Sequence, residues 1–172
     1  MNTIKISRIT IKDLLLLRKI SIQTFTETFT ATNSAENLAA YVQDKLNLEQ
    51  LTFEISNLNS QFYIAYANDE AVGYIKLNFG DAQTENIVGS TLEIHRIYVL
   101  QAFHGKKIGQ ILLNQALQIG NNSGVESIWL GVWEENQKAI QFYTKNGFVI
   151  FDKHDFMMGN DKQTDLLMKL NI

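Results

Sequence analysis

Residues 95–120 have the residue types and the spacing for binding a phosphate. They read HRIYVLQAFHGKKIGQILLNQALQIG, an apolar strand pattern followed by a polar loop and an amphipathic helix pattern. Glycines and cations between a strand end and a helix start favour anion binding, because the unpaired amides at a helix N-terminus carry partial positive charge. This loop therefore predicts a phosphate-bearing ligand. Its candidate residues are His104, Gly105, Lys106, Lys107 and Gly109.

Other residue types exclude several chemistries. The 172 residues include no cysteine, which excludes a disulfide framework, a thiolate metal site and a cysteine nucleophile. The three histidines lack metal-ligand spacing, so we expect no metal. A net charge of −3 argues against nucleic acid as a partner. No stretch approaches the roughly 20 apolar residues that cross a bilayer or resembles a signal peptide, so we expect a cytoplasmic protein without a membrane partner.

Acidic residues are concentrated between residues 24 and 54. The only cation there is Lys45, against the carboxylates of Glu27, Glu36, Asp44, Glu49 and Glu54. Such a stretch is most often a solvated helix face, and it also suits the attraction of a cationic substrate. The sequence leaves both interpretations open.

The elements that must position these residues alternate between strands and helices. TIKISRIT predicts a strand, residues 11–29 predict a helix with a break near Ser21, and residues 34–57 predict one or two helices beginning at a Ser34 cap. QFYIAYA and AVGYIKLNF flank a turn at residues 68–70 and predict a hairpin, and TLEIHRIYV predicts a third strand.

The C-terminal third continues this alternation. After the loop, one helical face gathers Ile108, Leu112, Leu113, Ala116, Leu117 and Gly120. SIWLGVW is typical of a strand covered on both faces, ENQKAIQFYTKNG predicts a helix ended by Gly147, and FVIF and TDLLMKLNI predict two last strands. We therefore expect one domain over residues 1–172, with an α/β fold in which helices flank a mixed sheet. A ligand should bind where strand ends separate near helix N-termini.

Two motifs resemble the signatures of the GNAT acyltransferase superfamily. YVLQAFHGKKIGQILL is similar to its acetyl-CoA pyrophosphate loop, and NQKAIQFYTKNGF is similar to its second signature, in which an Asn, an Ala and a Phe-Tyr pair precede Gly-Phe. In the first motif, His104 replaces Gln or Arg and Lys107 replaces the middle glycine, whereas Gly109 matches. Because Lys107 adopts positive φ less readily than glycine, we expect a different loop shape there, with an ammonium group that could face a phosphate.

Further stretches extend the resemblance to nearly the whole chain. They are similar to PaiA-type polyamine N-acetyltransferases and read TFTETFTATNSAENLAAYV, LEIHRIYV, IWLGVWEENQKAIQFYTKNGF and HDFMMGNDKQTDLLMKL. The resemblance implies a GNAT-like fold, acetyl-CoA as co-substrate and acetyl transfer to a primary amine of spermidine or spermine. It also suggests a homodimer.

The resemblance assigns the acetyl-CoA contacts to three groups of residues. The backbone amides of Ile97, Tyr98 and Val99 would hold the thioester oxygen as it gains charge. Asn136 would bond the pantetheine arm or cap its helix, and Lys145 would reach the phosphates or be a solvated cation. The cofactor loop would supply His104, Gly105, Lys106, Lys107, Ile108, Gly109 and Gln110.

Acetyl transfer to an amine needs a base and an acid. An alkyl amine is only about one part in two thousand neutral at pH 7, and only the neutral form attacks a thioester. Glu93 is the candidate base, acting through a water, or else an ordinary strand carboxylate facing solvent or an arginine. Tyr143 corresponds to the family's general acid, since a phenol holds its proton at pH 7 and can give it to a thiolate. Candidate neighbours of a cationic substrate are Glu27, Phe25, Phe29 and Tyr41.

Three functions stay open at this point. The chain is a polyamine N-acetyltransferase, a GNAT enzyme for another amine such as a peptide N-terminus or an amino sugar, or a non-catalytic acyl-CoA-binding sensor module. Tyr143 and Asn136 favour the two enzymes, whereas Lys107 favours the sensor. The acidic stretch favours a polycation over a neutral sugar.

Overall fold

One mixed sheet of seven strands, flanked by five α-helices, makes up the fold in a computed structural model that describes residues 3–172. The spatial order of the strands is β1-β2-β3-β4-β5-β7-β6. The strands are β1 (Ile4–Arg8), β2 (Ser60–Ala67), β3 (Glu70–Phe79), β4 (Thr91–Val99), β5 (Ser127–Trp133), β6 (Val149–Met158) and β7 (Asp161–Asn171). The helices are α1 (Leu14–Phe29), α2 (Ala35–Lys45), α3 (Leu48–Ser56), α4 (Ile108–Ser123) and α5 (Gln137–Lys145).

Helix α1 is continuous, so the predicted break near Ser21 is wrong. Ser21 and Thr24 are both buried, and the Thr24 hydroxyl donates a hydrogen bond to the Ile20 carbonyl at 2.7 Å. This bond to the preceding turn satisfies a polar side chain without interrupting the helix.

The next two helices begin where the sequence carries capping residues. The Ser34 side chain accepts a hydrogen bond from the Asn37 amide at the start of α2, and the Asn47 side chain does the same for Gln50 at the start of α3. Each cap satisfies an amide that has no partner within its helix. The prediction of a Ser34 cap is confirmed, and residues 34–57 form two helices.

The predicted hairpin joins β2 and β3 through a two-residue turn. Asn68 and Asp69 both have positive φ, 48° and 67°, which is the geometry that lets a tight turn follow the twist of its strands. β3 then pairs antiparallel with β4, and a bulge at the step from Lys76 to Leu77 leaves His95 without a register partner.

The parallel contact between β4 and β5 is short and defines the site. Residues Thr91 to Glu93 pair with Ser127 to Trp129, and beyond this point β4 pairs only with β3 while β5 pairs only with β7. We call the opening beyond the last pair the β4–β5 gap. The main-chain groups that face each other across it have no strand partner within residues 3–172. Helices α4 and α5 follow these two strands, so the gap is the predicted separation of strand ends near helix N-termini.

Strand β5 departs from its prediction at one residue. Its first four residues are buried, but Gly131 is exposed, so the expectation of cover on both faces is wrong there. The final two strands are longer than predicted and form a hairpin in which β6 is the edge strand, with most of its residues exposed.

Two apolar clusters pack on the opposite faces of the sheet. One cluster lies with α4 and α5 and includes Ile75, Leu113, Ile128 and Phe148. The other lies with α1, α2 and α3 and includes Leu17, Leu51, Phe62 and Tyr74. Among residues 3–172, no helix is long and apolar enough to cross a membrane.

Candidate active site

The loop between β4 and α4 keeps a glycine-like shape at its lysine. Lys107, which immediately precedes α4, has φ 63° and ψ 11° in the left-handed region, and Gly105 also has positive φ. The expectation of a different loop shape at Lys107 is therefore wrong. The left-handed conformation costs a non-glycine residue roughly 1–2 kcal/mol.

The first turn of α4 presents free amides. Ile111 is the first residue of α4 whose amide bonds to the preceding turn, where it donates to the Lys107 carbonyl at 3.1 Å. The amides of Ile108, Gly109 and Gln110 have no acceptor within residues 3–172, and no side chain caps the helix. A Cβ added to Gly109 would meet nothing within 4 Å, so a ligand can approach this backbone closely. The arrangement suits an anionic group.

Side chains of the loop fix its position and add charge. The His104 ring nitrogen Nε2 donates to the Val99 carbonyl at 2.8 Å, which ties the loop to the end of β4. The Lys106 ammonium lies 4.4 Å from the centre of the Phe103 ring, and both Lys106 and Lys107 are exposed. The loop therefore presents two cations beside the free amides.

Helix α5 contacts the same region at its C-terminal end. The Gln110 side chain donates to Asn146 at 2.8 Å, which joins the first turn of α4 to the residue that follows α5. Lys145, adjacent in the chain, is exposed. At the other end of α5, Asn136 caps the helix by accepting a hydrogen bond from the Ala139 amide at 3.1 Å. The cap role of Asn136 is thus confirmed, and its amide group stays available as a donor.

Tyr143 points from α5 into the apolar cluster on the α4 side of the sheet. It is 7% exposed and makes edge contacts with the rings of Phe142 and Phe148. Its hydroxyl has no hydrogen-bond partner within residues 3–172. Burial raises the pKa of the Tyr143 phenol above its usual value near 10. The group is therefore protonated throughout the neutral range.

Two of the three predicted backbone amides of β4 face the gap. The Leu100 amide donates to Val72 at 2.9 Å on the β3 side, and antiparallel pairing alternates direction with every residue. The Tyr98 amide therefore also faces β3, and its predicted role at the thioester oxygen is wrong. The amides of Ile97 and Val99 face the gap and stay free of strand partners.

Glu93 ends the short parallel contact and is 2% exposed. Its carboxylate accepts hydrogen bonds from the Asn78 side chain at 3.1 Å, from the Thr84 amide at 2.9 Å and from the Thr84 hydroxyl. It therefore faces neither solvent nor an arginine, because the loop between β3 and β4 covers it. Burial raises the pKa of Glu93, while the hydrogen bonds from Thr84 and Asn78 oppose this rise. The carboxylate is consequently a stronger proton acceptor than an exposed one.

The aromatic candidates for substrate contact form a connected group. Phe25 stacks on Tyr41 with ring centres 4.3 Å apart, and Phe29 lies 6.5 Å from Tyr98 and 6.2 Å from Trp133. Because Tyr98 is the penultimate residue of β4 and Trp133 is the last residue of β5, Phe29 bridges the two sides of the gap. Phe25 and Phe29 are buried and Tyr41 is half-buried, so packing is a role that all three perform.

Glu27 lies at the end of α1 with its side chain exposed. One carboxylate oxygen accepts from the Gln101 amide at 2.7 Å, and the other accepts from Gln23 at 3.1 Å. Glu27 therefore anchors the turn that follows β4. Of the acidic residues between 24 and 54, Glu27 is exposed and contacts the turn after β4, whereas Glu36, Asp44 and Glu49 are exposed on α2 and α3.

A buried ion cluster, which the sequence did not predict, lies beside the site. Arg96 donates to both oxygens of Glu54 at 2.6 and 3.1 Å, and the Lys76 ammonium lies 3.0 Å from the same carboxylate. Glu54 was counted with the acidic stretch that could attract a substrate, but it is buried and paired. Burial opposes the ionisation of Glu54, yet Arg96 and Lys76 together lower its pKa to about 2.

A signal for this cluster was present in the sequence. Lys76 and Arg96 each interrupt an apolar strand pattern, and a charge in such a position needs a partner. The identity of that partner depends on tertiary structure, because Glu54 lies 42 residues from Arg96. Within residues 3–172, no three His, Asp or Glu side chains are grouped as they would be to hold a metal ion.

The described residues thus combine a sheet split between two parallel strands, a loop with free amides after the first strand and a buried tyrosine in the helix after the second. Residues 18–148 match the Acetyltransferase (GNAT) family. The chain therefore belongs to this family and is an N-acetyltransferase.

Individual relatives agree with the family over most of the chain. An uncharacterised N-acetyltransferase from Lactobacillus delbrueckii subsp. lactis is 38% identical over 169 residues, 98% of each chain. A spermidine N(1)-acetyltransferase from Thermoplasma acidophilum is 30% identical over 162 residues, 91% of this chain and 96% of that one. The crystal structure of the PaiA N-acetyltransferase from Thermoplasma acidophilum, in complex with coenzyme A, superposes with a TM-score of 0.80 at 28% identity over 99% of both chains.

Proposed function

We propose that this N-acetyltransferase transfers the acetyl group of acetyl-CoA to a primary amine of a polyamine such as spermidine or spermine. The observation that carries the proposal is the row of free amides at the start of α4, placed beside the β4–β5 gap. The similar PaiA structure holds coenzyme A, which supports the cofactor, and the 30% identical spermidine acetyltransferase supports the substrate class.

The cofactor would bind along the loop and the gap. Its phosphates would accept hydrogen bonds from the amides of Ile108, Gly109 and Gln110, with the three cations Lys106, Lys107 and Lys145 nearby. His104 and Gly105 would shape the loop, as their contacts and φ values suggest. The pantetheine arm would enter the gap next to Asn136.

The reaction is a direct attack of the amine nitrogen on the thioester carbon. As the new N–C bond forms, the carbonyl oxygen gains charge, and the gap-facing amides of Ile97 and Val99 would stabilise it. The C–S bond then breaks, and Tyr143 gives its proton to the departing thiolate. The proton lost by the amine passes through a water to Glu93, whose raised pKa suits a proton acceptor.

The amine substrate would approach from the α1 side of the gap. Glu27 is the exposed carboxylate there and would attract a cationic chain, while Phe29 lines the bridge between the two strands. Phe25 and Tyr41 support Phe29 from behind and would act on the substrate chiefly by holding that ring.

The direct test measures release of free CoA thiol with acetyl-CoA and a panel of spermidine, spermine, putrescine, a peptide and glucosamine. We expect rapid release with spermidine or spermine. Release with only the peptide or glucosamine would replace the polyamine by that amine class. If acetyl-CoA binds and no amine releases thiol, the chain is a sensor module instead. Homodimerisation and a cytoplasmic location stay predictions, which sedimentation velocity and fractionation measure.

A further inference from the structure

The face of β3 and β4 that carries Glu93 also carries two buried cations. In the register of this pair, Lys76 lies opposite Arg96 and Asn78 lies opposite Glu93. Lys76 is 4% and Arg96 is 7% exposed. Like charges directly opposite each other destabilise a strand pair, and burial away from water increases this effect. The arrangement therefore requires compensating negative charge.

The compensation supplied by the ion cluster itself is incomplete. Glu54 from α3 is the carboxylate in contact with both cations, which leaves a net charge of +1 in the cluster. His95, on the bulge next to Arg96, does not change this balance, since burial, Arg96 and Lys76 hold its pKa well below the usual 6.5 and keep it neutral. The Tyr74 phenol, also buried nearby, is neutral as well, because burial raises its pKa to about 12. The remaining carboxylate on this face of the strand pair is Glu93.

The Asn78 side chain lies between Glu93 and the ion cluster, but it does not remove Glu93 from the influence of the charges there. Its side chain donates to Glu93 and accepts from the Ser60 hydroxyl at 2.9 Å, so the amide is fixed in orientation between its neighbours. Lys76 lies two residues away along the same strand and face. An ionised Glu93 brings the four charges to a net of zero, whereas a protonated Glu93 leaves the buried excess of positive charge uncompensated.

We propose that Lys76 is a positioning residue for acetyl transfer: held in place by Glu54, it keeps Glu93 in the carboxylate form that accepts the proton of the amine. This inference rests on the proposed role of Glu93 as base. The ammonium of Lys76 lowers the pKa of Glu93 against the effect of burial, which raises it. Burial already keeps the pKa of Glu93 raised against the hydrogen bonds from Thr84 and Asn78, and removing the cation takes away a further opposing influence, so Glu93 would hold its proton to higher pH.

The test compares pH profiles of kcat/KM for the amine in the full-length enzyme. In the wild-type pH profile, the limb that reports the titration of Glu93 is identified as the limb that Glu93→Gln abolishes. We expect Lys76→Met to move that limb to higher pH, with several-fold loss of kcat/KM at pH 6 and a much smaller loss on the plateau. Lys76→Arg, which keeps the charge, should restore the limb toward its wild-type position. Lys153→Met, the same change on the exposed edge strand β6, should leave it unmoved.

The outcomes separate the inference from the proposed function. If Glu93→Gln leaves the profile intact, Glu93 is not the base, so its proposed role and this inference fall together while acetyl transfer to the amine stands. If Glu93→Gln abolishes the limb but Lys76→Met lowers activity equally at every pH, Lys76 is only structural and this inference alone is overturned. Should the methionine variant fail to fold, Lys76→Gln keeps a polar partner for Glu54 and answers the same question.

Discussion

Lys107 combines an unfavourable backbone conformation with a favourable charge. Its left-handed φ of 63° gives the loop the shape a glycine would give it, while its side chain places an ammonium group at the start of α4. The sequence showed a lysine at a position where the motif has glycine. It did not show whether the loop would change its shape or whether the lysine would adopt a strained conformation. The free amides that follow explain the result, since they are presented only when the loop keeps this shape.

We expect Lys107→Gly to stabilise the free protein and weaken the cofactor complex. Relief of the left-handed conformation should raise the free energy of unfolding by about 1 kcal/mol, partly offset by the greater freedom of glycine in the unfolded chain. Urea unfolding measures the first effect, and calorimetric titration with CoA measures the second as a few-fold rise in Kd. Lys106→Gly is the matched control, because it removes the same charge from a residue without positive φ. An equal rise in the free energy of unfolding in both variants would contradict a strained backbone at Lys107.

Tyr143→Phe removes one oxygen from a buried, well-packed ring. If the hydroxyl is the acid, turnover should fall by about 100-fold or more, while the Kd for CoA changes little. Because burial raises the pKa of Tyr143, wild-type turnover should show no decline from loss of this proton below pH 10. Tyr63→Phe on β2, whose hydroxyl bonds Gln61, is the control. Unchanged turnover of Tyr143→Phe at every pH would remove Tyr143 from the mechanism.

At the level of elements, α3 is attached to the sheet by charge as well as by apolar packing. Glu54 projects from α3 to Arg96 on β4 and Lys76 on β3, and Gln50 of the same helix donates to it at 3.0 Å. Lys76 and Arg96 both contact the Glu54 carboxylate, and the two cations repel each other. Burial and Arg96 together lower the pKa of Lys76 to about 8. Within this attachment, the ionised form of Glu54 is therefore strongly favoured, whereas the charged form of Lys76 is less favoured.

This attachment predicts an acid-dependent stability. The folded pKa of Glu54 is about 2 against 4.5 in the unfolded chain, so its contribution is present above pH 4.5 and is lost as the pH falls toward 2. The size is on the order of 3 kcal/mol. Urea unfolding of wild type and Glu54→Gln between pH 7 and pH 3 measures it as a difference that shrinks on acidification. A difference that stays constant with pH would show that Glu54 contributes through packing alone.

Local patterns predicted most elements because their determinants lie close in the sequence. The caps at Ser34 and Gly147 and the turn at Asn68 and Asp69 depend on residues only a few positions apart. The length of the β6–β7 hairpin was missed because β6 is an exposed edge strand without alternating apolar residues. The predicted break near Ser21 was wrong because α1 stays continuous there, with the hydroxyl of the nearby Thr24 bonded to the preceding turn.

For the whole molecule, the fold and the location of the site were predictable, and the electrostatics were not. The order of strands and helices predicted a ligand where strand ends separate near helix N-termini, and the short motifs at Gly109 and Tyr143 lie on the elements that border the β4–β5 gap. The pairing of Glu54 with Arg96 and the cover of Glu93 by Thr84 depend on which strands become neighbours. No local pattern contains that information, and the direction of the Tyr98 amide likewise follows only from strand register.

The three-pair contact between β4 and β5 also has a thermodynamic consequence. Between these neighbouring strands, two parts of the sheet are joined by few main-chain bonds, so a ligand that binds both borders of the gap would act as a removable crosslink. Saturation at 100 times Kd should add about 2.7 kcal/mol to the free energy of unfolding. Amide hydrogen exchange should then slow on β4 and β5 together rather than on the loop alone. A bound co-substrate would in this way stabilise the folded enzyme as well as take part in its reaction.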